Sequence, residues 1–373
     1  MKKILHIPNY YLPHIGGIED ACHSIVMGLS GYNHQVICFN DKKTDEIDVY
    51  EGITVVRCGI IKKLFSQSLS ISFYGQLKKV FAEFKPDIVH FHLPNPLGSV
   101  YLLSLIPENV KLIVHWHSDI VEQGFLYTFY RPIEKKLLQR ADKILVTSPT
   151  YVAGSKPLSF WKNKLHVIPN TVNTQKLTLV EGDTQAIEKI RDRYAGKKII
   201  FTFGRHVPYK GLAYLIEAIP DISSECEVVI AGKGPLTERL KKMSDAPNLH
   251  FIGKLDDAEL RSYLYASHVF AFPSITRNEA FGIALAEAMY CGLPAVTFTI
   301  PDSGVNWVCI DKETGLESEN GNSKALAEAI NRLLEDSALR DSLGASASER
   351  VRNLFVIEAI KDDLQQIYND LFF

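Results

Sequence analysis

The stretch KKIIFTFGRHVPYKGLAYLIEAI, residues 197–219, contains the repeating unit of the fold. Its apolar, β-branched opening reads as a strand, its glycine-bounded basic middle as a loop, and its end as an amphipathic helix. A strand too apolar to have one wet face, followed by a helix, is the element of a parallel sheet covered on both sides. The same alternation runs outward in both directions. Toward the N-terminus lie the strand-like runs KKILHIPN, HQVICFN, ITVVRCG, DIVHFH, KLIVHWH, KILVTS and KLHVIPN, separated by helical patterns such as IEDACHSIVMGLS and SFYGQLKKVFAEF. Toward the C-terminus come CEVVIAGKG, LHFIGKL, HVFAFPS and PAVTFT, and then a tail of helices ending in VIEAIKDDLQQIYNDLFF. Between the two sets, after IPNTVN (168–173), the polar stretch TQKLTLVEGDTQ carries no strand pattern.

Two α/β halves are therefore expected, and 373 residues are more than one ordinary core accommodates. The first half takes residues 1–170 and the second 171–354, with the final helix, 355–373, crossing back to the first. Formal net charge is −2, so no overall positive field attracts nucleic acid and any anion site must be local. The six cysteines are scattered without a CxxC pair, which favours free thiols in a reducing compartment. His6, Pro8 and Asn9 interrupt the opening apolar run before a signal peptide could form, and the apolar stretch near 97–107 is too short to span a bilayer. A cytoplasmic protein is expected, at most touching the inner face of the plasma membrane.

In open α/β sheets ligands gather beyond the C-terminal strand ends, so the loops there carry the candidate chemistry. Gly16 and Gly17 lead from the first strand into a helix, where free amides and the helix dipole favour an anion. The spacing is not GxGxxG, which argues against an ordinary dinucleotide site. Arg205 and Lys210 share one strand-to-helix loop and could jointly neutralise a diphosphate. Gly232 and Lys233, with Gly253 and Lys254, mark two further strand ends that could flank a base or ribose.

The segment NEAFGIALAEAM (278–289) starts a helix that Thr276 or Asn278 could cap, leaving the amides of Phe281, Gly282 and Ile283 as unpaired donors. Glu279 would lie just before the first turn, either as a dipole partner or as a ligand contact. Glu287, two turns further on a nearly apolar helix, needs hydrogen-bond partners, and vicinal ribose hydroxyls would suit it. The pairs HFH (90–92) and HWH (115–117) raise a metal-hydrolase reading, yet no further ligand motif follows at later strand ends. HWHSDIV reads instead as an exposed polar cluster at a strand tip, with His117 facing the cleft.

With these pieces assembled, the chain resembles the retaining GT-B glycosyltransferases of family four over essentially its whole length. The most specific element is Glu279 followed eight residues later by Glu287 and then CGLPAV, joined by the Gly16-Gly17 loop, the Arg205/Lys210 pair and the HxSD strand end at 115–119. The resemblance implies two Rossmann-like, doubly wound domains facing across a cleft. It also implies roles. Arg205 and Lys210 would bind the donor diphosphate, Glu287 the ribose, and Glu279 the transferred sugar, with help from the amides at Phe281–Ile283. Gly17 would approach the phosphates and His117 the donor sugar. A nucleotide-sugar donor, a glycan or lipid-linked acceptor and no metal cofactor are expected.

Residues 60–81, with two Lys-Lys pairs amid Leu, Ile and Phe, suit an acceptor loop or a patch against an anionic lipid surface; a solvated helix face is the rival reading. The competing function is a nucleotide-sugar epimerase of similar architecture. It would need carboxylates and histidines placed for proton transfer, and the loops do not offer them.

Overall fold

A computed structural model describes residues 1–14, 16–64, 67–120, 124–223 and 225–372. The chain divides into two compact units, Met1–Thr171 with Ile360–Phe373, and Val172–Ala359. The last helix, Ile357–Asn369, thus begins in the second unit and returns the chain to the first.

The first unit contains β1 (Lys3–Ile7), β2 (Asn33–Phe39), β3 (Glu46–Tyr50), β4 (Ile53–Cys58), β5 (Lys62–Leu64), β6 (Gln67–Leu69), β7 (Ile88–Leu93), β8 (Lys111–Trp116), β9 (Lys143–Val146) and β10 (Leu165–Val167). Eight of these form one sheet in the order β10-β9-β8-β7-β1-β2-β4-β3. All neighbours are parallel except β3 and β4, a hairpin at the edge. The sequence reading missed β3, whose Ile47 and Val49 face solvent and whose EIDVY offers no buried run. Strand order reverses between β1 and β7, so the loop carrying Gly16 and Gly17 lies at the switch point.

The second unit contains β11 (Lys198–Phe203), β12 (Cys226–Ala231), β13 (Leu249–Gly253), β14 (Val269–Phe272), β15 (Ala295–Phe298) and β16 (Gly315–Ser318). Their order is β13-β12-β11-β14-β15-β16, and every neighbouring pair is parallel. This is the 3-2-1-4-5-6 arrangement of a Rossmann sheet, with its switch point between β11 and β14. Phe201, Phe270 and Phe272 are fully buried and touch in sequence across this point. At roughly 2 kcal/mol for each buried aromatic side chain, they anchor the floor beneath the loops that follow.

Two segments have structure that the sequence reading did not specify. Residues 60–81 are not one helix face: β5 and β6 pair as an antiparallel hairpin, and a helix occupies only Ser72–Glu83. The stretch TQKLTLVEGDTQ is less irregular than its polarity suggests. Asn173 caps a short helix, Thr174–Leu177, through the amides of Gln175 and Lys176, and a longer helix starts at Asp183.

Candidate active site

The second unit concentrates the predicted residues at its switch point. The loop leaving β11 carries Arg205, exposed, and Lys210, whose side chain is 14% exposed. The loop leaving β14 carries Glu279, 11% exposed, and its Oε2 is ion-paired with Lys210 Nζ. Ser274 donates a hydrogen bond to the same oxygen at 3.2 Å. Burial alone would lower the Lys210 pKa, but Glu279 and Tyr209 outweigh it and the ammonium is held above its ordinary range. Arg205 lies close enough to act on Lys210 in the opposite sense. A largely buried Lys210–Glu279 ion pair and the exposed Arg205 guanidinium therefore share the end of one strand pair.

Backbone contacts hold these two loops in register. Ile275 N–H donates to Tyr209 carbonyl at 2.9 Å. Gly211 has φ +61°, and a Cβ there would stand 1.9 Å from the Pro273 carbonyl oxygen, so only glycine permits this approach. From the other side, Ser303 Oγ donates to the Glu279 carbonyl and Gly304 N–H donates to the Ala280 carbonyl. The carboxylate of Glu279 is thus positioned by the loops after β11, β14 and β15 together.

The neighbouring strand ends bring in the other basic loops. Gly232 N–H bonds the Gly253 carbonyl, and Gly232 lies against Gly204. Lys233 and Lys254 are exposed beside them. His206, buried and not foreseen, ties the first of these loops to the Arg205 loop. Its N–H donates to the Lys233 carbonyl at 3.3 Å, and its Nδ1 lies 2.9 Å from Thr237 Oγ1. Its position between two glycine-rich basic loops was the one available signal.

The helix after Glu279 departs from expectation. It spans Ile283–Tyr290, and its N-cap is Gly282, not Thr276 or Asn278. Gly282 has φ +89°, and a Cβ would press on Leu285 and Phe272, so glycine serves the backbone and the packing here. The amides without intrahelical acceptors are those of Gly282, Ile283, Ala284 and Leu285, one position on from the predicted set; that of Phe281 precedes the helix. Glu287 is half-buried and shares the less buried helix face with Ile283 and Ala284.

In the first unit, Gly16 caps the helix Gly17–Gly28 in extended backbone, and a Cβ would meet the Glu19 carboxylate at 2.3 Å. That carboxylate folds back over the loop, and burial pushes its pKa up to about 7. His117 is not the exposed tip that was expected. It is 6% exposed, stacked on His115 at 4.1 Å between ring centroids, with Nε2 3.0 Å from His92 Nδ1. Burial lowers its pKa to about 3, against a smaller opposing effect of Asn170, so the ring is neutral.

Glu134, on the helix Gly124–Arg140, is a second carboxyl that sequence reading passed over. It accepts from Tyr127 Oη at 2.7 Å, and burial raises its pKa to about 7 despite that bond, with Asp119 adding to the rise. Its folded pKa therefore lies above the unfolded value near 4.5. The folded carboxyl keeps its proton up to about pH 7, so wild-type stability falls as pH rises from 4.5 to 7 and then levels off. Glu134→Gln cannot ionise. Urea titrations should show it gaining on wild type across that window, by at most about 3 kcal/mol at about 1.36 kcal/mol per pH unit. A difference that stays flat with pH would overturn the assignment.

Two family models match the chain, Glycosyl transferases group 1 over residues 183–350 and Glycosyltransferase Family 4 over residues 15–176. The D-rhamnosyltransferase WbpZ of Pseudomonas aeruginosa is 31% identical over 95% of this chain and 92% of its own length. The O-antigen chain mannosyltransferase C of Escherichia coli is 29% identical over 99% and 98%. Among solved structures, Anabaena HepE in complex with UDP and glucose superposes with a TM-score of 0.80 at 18% identity, covering 99% of this chain and 100% of that one. The fold and the matched models define a GT-B glycosyltransferase. The chain belongs to glycosyltransferase family four.

Proposed function

We propose that the protein transfers a hexose or deoxyhexose from a UDP- or GDP-linked donor to a glycan or lipid-linked glycan, with retention at the anomeric carbon, in building a bacterial surface polysaccharide. The observation that carries this reading is the Arg205–Lys210–Glu279 group at the switch point of a Rossmann sheet. Breaking the C1–O bond of a nucleotide sugar builds negative charge on the departing diphosphate, and a buried, ion-paired Lys210 with the exposed Arg205 beside it supplies two cations to stabilise that charge. Under this reading Arg205 and Lys210 bind the diphosphate. Glu279 accepts a sugar hydroxyl and restrains Lys210, while Glu287 holds the ribose hydroxyls. The charge stabilisation comes from these side chains and needs no metal. The names of the two sequence relatives support a rhamnosyl- or mannosyl-type sugar and an O-antigen-like product, and the UDP complex supports a nucleotide donor.

Retention follows if the acceptor attacks from the face the diphosphate leaves, giving its proton to the leaving phosphate oxygen. Glu279 is committed to Lys210 and Ser274, which sets this arrangement apart from the two free carboxyl groups a glycosidase uses. NMR of the product anomer decides this step, and an inverted product would overturn it.

Calorimetry with UDP, GDP and ADP, in EDTA, tests the site. One nucleotide should bind tightly, and Glu287→Ala should weaken it at least about tenfold, roughly 1.4 kcal/mol. Binding indifferent to Glu287 would assign the ribose elsewhere. For the acceptor side, Ile61, Leu69, Ile71 and Tyr74 are exposed beside Lys62 and Lys63 around the β5–β6 hairpin. Among the described residues no helix is long and apolar enough to cross a membrane. A peripheral contact with anionic lipid through this patch would appear as co-sedimentation with phosphatidylglycerol vesicles that Lys62→Glu/Lys63→Glu abolishes.

A further inference from the structure

We propose that the core of the first unit holds a soft transition-metal ion, of the zinc or copper(I) class, on His6, Cys22 and His92. Parallel pairing of β1, β7 and β8 sets His6 opposite His90 and His92 opposite His115, so imidazoles from three strands share one face of the sheet. The helix Gly17–Gly28 brings the fully buried thiol of Cys22 to the same place. One ligand atom from each of His6, Cys22 and His92 lies within 4.8 Å of the other two. Tetrahedral Zn–N and Zn–S bonds place ligand atoms roughly 3.5 Å apart, so a contraction of about 1 Å closes the set.

The hydrogen bonds select these residues. His34 Nε2 lies 2.8 Å from the Leu29 carbonyl and must donate to it. Its Nδ1 is then an acceptor, and His6 Nε2–H donates to it at 3.0 Å. His6 Nδ1 is left as a bare lone pair, fully buried, with no partner among the described residues. His92 has a similar geometry: Nδ1 lies 3.0 Å from His117 Nε2, and buried Nε2 has no partner among the described residues. When His92 Nδ1–H donates to His117, Nε2 is also a bare lone pair.

An imidazole whose outer N–H is engaged and whose inner nitrogen is bare is prepared as a metal ligand. Otherwise each such buried acceptor is stripped of water with no bond in return. His90, His92 and His115 also converge within 4.8 Å, but both nitrogens of His90 are engaged, with Tyr368 Oη and with His115 Nδ1 at 3.3 Å. Two imidazoles and a thiolate favour zinc or copper(I) over magnesium or calcium. On binding, Cys22 exchanges its S–H bond for an S–metal bond and the proton passes to solvent. The ion would fix His92 and, through it, the orientation of His117.

The test is expression of the full chain in medium supplemented with Zn²⁺ or Co²⁺, followed by desalting and elemental analysis. We expect about one equivalent of metal per chain, a thiolate-to-cobalt charge-transfer band, and an X-ray absorption shell with one sulfur. Cys22→Ser should remove the charge-transfer band, and His6→Gln should lower the metal content at least tenfold. Should either variant fail to fold, the wild-type stoichiometry and absorption shell decide alone. Metal far below one equivalent, a shell without sulfur, or content indifferent to both substitutions would overturn the proposal.

Discussion

Lys210→Ala is expected to lose turnover by roughly 10²–10³-fold, and to lower stability by about 3 kcal/mol. The two losses have separate causes. Under the proposed function, turnover falls because one of the two cations assigned to the departing diphosphate is gone. Stability falls because Glu279, 11% exposed, loses its closest partner and is left with Ser274. A thermodynamic cycle separates them. Glu279→Ala alone leaves Lys210 similarly stranded, whereas the double variant leaves neither charge unpaired. Its destabilisation should therefore fall short of the sum by at least about 1 kcal/mol. Turnover, in contrast, should not recover in the double variant. Additive stabilities would show that the pair is not coupled, and turnover within tenfold of wild type would remove Lys210 from the chemistry.

The second large effect belongs to a residue with no side chain. Gly232→Ala is expected to cost about 3 kcal/mol and to abolish measurable nucleotide binding, because its Cβ would stand 1.9 Å from the Gly204 carbonyl oxygen, at φ +110°. Neither a rotamer change nor a flexible tip can relieve a clash with backbone. The loop would have to move, and with it Arg205, one residue beyond Gly204. Gly253→Ala is the control. Its φ of +79° is also unfavourable, but the added Cβ meets only the end of Lys233, at 3.6 Å. A loss nearer 1 kcal/mol is expected there. Equal effects in chemical denaturation would mean that the crowding at Gly204 does not set the loop.

Much of the site was legible because its residues lie close in sequence to the strands that carry them. Arg205 and Lys210 follow β11 directly, and glycines mark the ends of β12 and β13. Glu279 was recognised by its spacing to Glu287. What spacing could not give was the helix start. Thr276 and Asn278 have the chemistry of caps, but the turn through Gly282 carries the chain past them, since φ +89° and packing on Phe272 set the entry. His117 was misjudged for a similar reason. A polar run at a strand end reads as exposed, whereas His92, His115 and Asn170 enclose it.

The sequence by itself determined the two α/β halves, the parallel sheets and the strand-end loops that carry the candidate residues. Those features rest on local periodicity and on the rule that a strand apolar on both faces must be covered on both. Only the tertiary structure decided which groups pair. The Lys210–Glu279 contact joins residues 69 apart, and the His6–Cys22–His92 cluster draws on two strands and a helix. Such partners are fixed by the register of parallel strands and by helix packing over the sheet, and neither quantity is written in the spacing of any one segment.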